Sequence, residues 1–184
     1  MPQLKAMIKE VWNSLKYDDF SVRAVRVSDK DAIIAHLLAL GDKGIASRFG
    51  FPANEYQVTQ YADKIDFEND ILVGLFKEDE MLGFAHGATC VNEQEEVTEL
   101  GISISPELHG QGWGSKLTDE IIKKASAHGS RKLIFFTSVK NHAIRKIVEK
   151  HHASTSTDCG DLTAVVPLEW KRSKIRRMFS RHKN

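Results

Sequence analysis

Apolar residues recur along this chain in two rhythms, one of period two and one near 3.6, and the switches between them mark its elements. Leu4, Met7, Ile8, Val11, Trp12 and Leu15 fall at helical spacing, which predicts an amphipathic helix in front of the main domain. Residues 21–27 (SVRAVRV) alternate as a strand. Ser28, with Asp31 three residues on, reads as the N-cap of a helix over DKDAIIAHLLAL. Gly41 and Gly44 read as its stop, residues 45–54 as a connecting loop, and EYQVTQYADKID as a second helix. DILVGLFKE and EMLGFAHGATCV, joined by the acidic turn EDE, have the pattern of an antiparallel hairpin, and EVTELGISI follows as a third strand. Leu117, Ile121, Ile122 and Ala125 keep helical spacing as far as Gly129. KLIFFTSV is almost wholly apolar and reads as a strand buried on both faces, NHAIRKIVEKHH as a helix and LTAVVPLEW as the final strand. This order predicts an α/β (α+β) layer structure around one mixed sheet.

Composition narrows the class. With 184 residues, 41% hydrophobic and 28% charged, the chain suits one domain with a substantial core. We read residues 1–20 as a helical extension, 21–170 as the domain and 171–184 as a tail. The tail, KRSKIRRMFSRHKN, is basic and has no carboxylate, although the formal charge of the whole is only +1. Its single aromatic, Phe179, and the absence of a basic stripe elsewhere count against a nucleic-acid or anionic-surface binder. Cys90 and Cys159 stand far apart without metal-ligand spacing, so neither a disulfide framework nor a metal site is expected, and a reducing cytoplasm fits. The N-terminal stretch has neither a signal-peptide nor a membrane-span pattern. Its amphipathic helix suits pairing into a homodimer as well as covering its own sheet.

The chemistry gathers in ISISPELHGQGWGSKL, where a strand meets a proline, then Gly110, Gly112 and Gly114, then a helix. Backbone N–H groups there can converge without Cβ atoms in the way, and the helix dipole adds to the field, so phosphate oxygens are the natural guest. A tight strand-to-helix turn would need the same glycines. Two other phosphate loops are excluded: Lys116 does not follow the second glycine of a GxxxxGK[ST] loop, and the third glycine of GxGxxG would fall at Ser115.

This stretch resembles the central motif of the GNAT acyltransferase superfamily, an apolar-x-apolar-x-Pro strand end followed by Q/R-x-x-G-x-G/A. His109 stands where the family has Gln or Arg, while Gly112 and Gly114 match. NHAIRKIVEKHH resembles the Asn-led helix of the same family, and the likeness runs from about Ser21 to about Trp170. The resemblance implies a mostly antiparallel sheet with a splayed strand pair parting at a bulge, flanked by helices, and acetyl-CoA as cosubstrate. It implies contacts from Ile102, Ser103, Ile104, His109, Gly110, Gln111, Gly112, Trp113, Gly114, Ser115 and Asn141. The diphosphate would lie over residues 109–115 and the pantetheine arm along Ile102 and Ile104, with the Ile104 N–H as donor to the thioester oxygen.

The acceptor side is less legible. An alkyl ammonium with pKa ~10.4 is neutral in only about one molecule in several thousand at pH 7, so a general base is useful. Glu99 opens ELGISI and resembles the Glu of the protein-lysine acetyltransferase branch; the bland reading is an exposed strand carboxylate or a lysine partner. The family's tyrosine acid falls on Val148, and Tyr17, Tyr56 and Tyr61 all precede the glycine loop, so no tyrosine is carried over. Ser138 and Cys159 are substitutes without positive support, and Arg48 is either an acceptor contact or a surface residue. The resemblance implies an N-acetyltransferase acting on a primary amine of a protein or small molecule, with direct transfer in a ternary complex. The alternative is an acyl-CoA-binding module without turnover.

Overall fold

Residues Ile71–Lys77 form a strand, β2, whose alternate side chains enter two separate cores. Ile71, Val73 and Leu75 face one, and Leu72 and Phe76 the other. That is why ILVGLF is apolar throughout instead of alternating. The computed structural model describes residues 19–92 and 95–169. The helix expected around Leu4–Leu15 and the basic tail lie outside these residues.

Besides β2, the strands are β1 Phe20–Ala24, β3 Glu80–Asn92, β4 Glu95–Ile104, β5 Lys132–Ser138, β6 Ser154–Asp158 and β7 Asp161–Pro167. The helices are α1 Lys30–Ala39, α2 Gly41–Phe49, α3 Glu55–Asp63, α4 Trp113–His128 and α5 His142–Lys150. The sheet runs β1-β2-β3-β4-β5-β7-β6, and each neighbouring pair is antiparallel except β4–β5. Ile33 and Leu37 of α1 and Val58 of α3 pack with Leu72, Phe76 and Phe84 on one face. On the other, Leu117, Ile121 and Ala125 of α4 meet Val73, Leu75, Ala85 and Leu100. Asn54 starts α3 with a reciprocal box, its Oδ1 accepting from Gln57 N and Gln57 Oε1 accepting from Asn54 N, each at 3.0 Å.

Four expectations need correction, and one strand was not foreseen. Residues 45–49 are helical, because Ile45 and Phe49, one turn apart, give α2 an apolar side. Gly44 does not stop a helix: a Cβ there would collide with Leu40, so the glycine permits close packing. Ser28 lies in a short 3₁₀ turn, Val27–Asp29, and α1 starts two residues later. β5 alternates instead of being buried throughout; Leu133 and Phe135 point into the core, whereas Phe136 is 60% exposed. Finally, β6 was not anticipated, since STSTD has no apolar position and is exposed along its length. Its place is set by a two-residue turn at Cys159 and Gly160, both at positive φ, which pairs Asp158 with Asp161.

Candidate active site

β4 and β5 run in register only from Val97–Lys132 to Glu99–Ile134, and beyond that point they separate. β5 remains paired with β7 along its whole length, from Lys132 to Ser138, and so follows β7 away from β4. On its other side β4 stays in register with β3 as far as Ile104, and Ser105 N donates to Leu82 O at 2.9 Å. Strand alternation therefore turns the backbone groups of Ile102 and Ile104 away from β3, into the gap that β5 has left.

A cleft of about 600 Å³ runs from this gap to the start of α4. Ile102, Ser103, Ile104, His109, Gly110, Gly112, Trp113, Gly114, Ser115 and Asn141 all line it. Gly110 and Gly112 have φ of +74° and +87°, and a Cβ on either would meet nothing within 4 Å. Their backbone is open and in a conformation that L side chains disfavour. Gly112 caps α4 without a side-chain hydrogen bond, and the first bond of the helix is Lys116 N to Gly112 O. The helix dipole and the first-turn N–H groups of Gly114 and Ser115 face this end of the cleft. Gly114 serves differently: its Cβ would come within 3.2 Å of Ile147 Cδ1, so it lets α4 and α5 approach. Lys43, Arg48 and Lys146 also line the cleft, and no carboxylate does among the described residues. The cleft thus suits a long polyanionic ligand.

Residues 43–153 match the family model described as the Acetyltransferase (GNAT) family. The chain belongs to the GNAT family. It is accordingly an acetyl-CoA-dependent acetyltransferase, with acetyl-CoA as cosubstrate. Solved GNAT structures share the fold. The GNAT domain of S. lividans PAT superimposes with TM-score 0.69 at 16% identity, covering 80% of this chain and 89% of its own. The ribosomal-protein-S18-alanine N-acetyltransferase of Escherichia coli gives 0.61 at 17%, covering 84% and 97%. The PaiA N-acetyltransferase of Thermoplasma acidophilum, in complex with coenzyme A, gives 0.59 at 15%, covering 80% and 98%. No curated protein matches the sequence.

The GNAT resemblance implied a bulge where the strands part. Among the described residues β4 shows none: its ladder with β3 keeps one register from Asn92–Glu95 to Gly83–Ile104, and the register shift in this sheet lies between Leu75 and Phe76 on the β2–β3 pair. His109, at the family's Gln/Arg position, directs its side chain back onto β4, where Nε2 donates to Ile104 O at 2.9 Å. Gln111 does not line the cleft; its amide donates to Glu107 O at 2.9 Å. Asn141 caps α5 through Ile144 N at 3.2 Å, and its Nδ2 donates to Thr137 Oγ1 at 3.0 Å. Glu99 is exposed at the apex of the splay, opposite Ala88 and Ile134, and does not itself line the cleft. Val148 is buried and Cys159 lies exposed at the β6–β7 turn.

On the face of β4 where Glu99, Gly101 and Ser103 alternate, the structure assembles groups of which only Arg48 had a candidate role from the sequence. His36 is buried, with Nε2 2.9 Å from Ser103 Oγ. Burial pushes its pKa down to about 4 against a hydrogen bond with the Met81 backbone, and the charge of Arg48 lowers it further. A second chain runs Asp70, His86, Tyr61, Arg48. Asp70 Oδ2 lies 2.8 Å from His86 Nε2, His86 Nδ1 2.6 Å from Tyr61 Oη, and Arg48 Nη2 donates to Tyr61 Oη at 2.6 Å. Burial holds the His86 pKa below its ordinary value despite Asp70, and raises that of Tyr61 despite Arg48. Neutral His86 then donates from Nε2 to Asp70 and accepts the Tyr61 proton at Nδ1. These four residues come from α2, α3, the segment before β2, and β3. No local motif joins them.

Proposed function

We propose that this enzyme acetylates a primary amine, on a protein or a small molecule, by direct attack on acetyl-CoA while both substrates are bound. One observation carries the reading: among the described residues a single cleft, lined by no carboxylate, links the glycine-marked start of α4 to the edge of β4 that β5 leaves beyond Glu99. The residues fit the cosubstrate. Residues 109–115 would hold the diphosphate, with backbone donors from Gly114 and Ser115. Ile102 and Ile104 would pair the pantetheine amides, flanked by Ser103 and Asn141. The Ile104 N–H would meet the oxygen on which charge develops, and His109 steadies that end of β4 through the Ile104 carbonyl.

In the transfer, the amine nitrogen bonds to the acetyl carbon and the carbon–sulfur bond breaks, its electrons leaving on the thiolate. Glu99 takes the amine proton through one water, since its carboxylate stands at the apex outside the cleft lining. A thiol near pKa ~8.5 leaves without a dedicated acid, consistent with Val148 at the family's tyrosine position. Thiol release from acetyl-CoA with a panel of amines tests the reading. Glu99→Gln is expected to lower kcat/KM about 100-fold while keeping the thermal shift caused by coenzyme A. Stabilisation without turnover on any amine would favour the binding module instead.

A further inference from the structure

We propose that Arg48 is a carboxylate-binding subsite that selects acceptors carrying a carboxylate close to the amine, as a free amino acid does. This rests on the acetyl-transfer reading above and names the substrate class for it.

The guanidinium of Arg48 lies flat on the backbone of Gly101, where a Cβ would overlap its Cζ and both terminal nitrogens. It lines the main cleft and also a small cavity of about 30 Å³ in the β4–β5 gap, shared with Leu100, Ile102, Phe135 and Thr137. It therefore stands where the strand gap opens into the cleft. Among the described residues Arg48 forms no ion pair within 4.0 Å, and its Nε is buried without a hydrogen-bond partner. Among the described residues its guanidinium makes one hydrogen bond, from Nη2 to the neutral Tyr61 hydroxyl.

A half-buried guanidinium without an anion is costly, and its planar fork matches a carboxylate in a bidentate pair. The surrounding structure holds it in place. Tyr61 is fixed by His86, His86 by Asp70, and the Phe49 ring lies 5.3 Å from the Arg48 Cζ. Asp70 is two hydrogen-bonded residues away, so it orients the chain without neutralising the charge at the cleft. Acetyl-CoA brings no carboxylate to this end. Glu99 lies two residues from Gly101 on the same face of β4, and its charge reaches Tyr61 and His86. An acceptor with its amine toward Glu99 and its carboxylate on Arg48 has the two groups within a few bonds of each other. Tyr61, His86 and Asp70 are positioning residues.

The test uses the full chain, acetyl-CoA, and matched acceptors: the common L-amino acids, their carboxamides, and the amines lacking the carboxyl group. The expected result is a kcat/KM for at least one amino acid about 100-fold above its amide, carried mainly by KM. Arg48→Gln and Arg48→Lys should both collapse that ratio toward one, lysine failing because it lacks the fork, while the coenzyme-induced thermal shift is kept. Tyr61→Phe should lower the same ratio about tenfold. Equal use of acid and amide by the parent, or a ratio unchanged by either Arg48 variant, overturns the subsite and leaves the acetyltransferase reading standing. An Arg48-dependent preference for succinyl-CoA over acetyl-CoA also overturns it, assigning the anion to the acyl donor. Coenzyme stabilisation without turnover on any acceptor overturns both readings.

Discussion

His36 shows what a single residue contributes here. Its imidazole is 3% exposed between α1 and β4, and its pKa of about 4 lies below the 6.5 of an unperturbed histidine. The unfolded chain therefore binds a proton that the folded chain refuses. This contribution to stability is complete above pH 6.5 and is lost as pH falls toward 4, to the extent of about 3 kcal/mol. Melting temperatures between pH 4 and 7 should fall less steeply for His36→Gln than for the parent, and equal slopes would contradict the assignment. Gly112 is a residue-scale case of a different kind, because its φ of +87° permits the open backbone at the helix start. Gly112→Val should lose most of the coenzyme-induced thermal shift, with a modest destabilisation of about 1–2 kcal/mol from backbone strain. Retention of the full shift in a folded variant would remove the cradle from the proposal.

Between residues and the whole stand the helix starts and strand ends that shape the cleft. Asn141 joins three of them: it caps α5, holds Thr137 of β5, and its Nδ2 lies 3.4 Å from Ser47 Oγ on α2. Asn141→Ala should cost about 1–2 kcal/mol in denaturant unfolding, and Asn141→Asp less, since the aspartate still caps the helix. Equal losses would show that the Nδ2 contacts dominate. At this scale the pattern of the chain was informative where burial is one-sided. The amphipathic stripe of α4, ending at Gly129 with φ of +114°, and the β2–β3 hairpin were read in place. It misled where glycine had a packing use, as at Gly44, and was silent where a strand lies fully exposed, as in β6, because pairing alone leaves no hydrophobic trace.

In the whole molecule, one sheet separates two cores, and α4 anchors the larger through Leu117 and Ile121, both fully buried. Leu117→Ala should remove about 2–5 kcal/mol, and fluorescence and far-UV circular dichroism should still report one coincident transition, because β2 supplies both cores. Separate midpoints would mean that the two faces unfold independently. The sequence by itself determined the layered fold, the glycine-marked helix start and the strand beside it, since each depends on neighbours within a few residues. Only the tertiary structure decided that His109 turns back on β4, that β5 leaves β4 without a bulge, and that Asp70, His86, Tyr61 and Arg48 form one chain. Hydrophobic periodicity records which face of an element is buried, but it carries no information about which polar groups on different elements meet across that face.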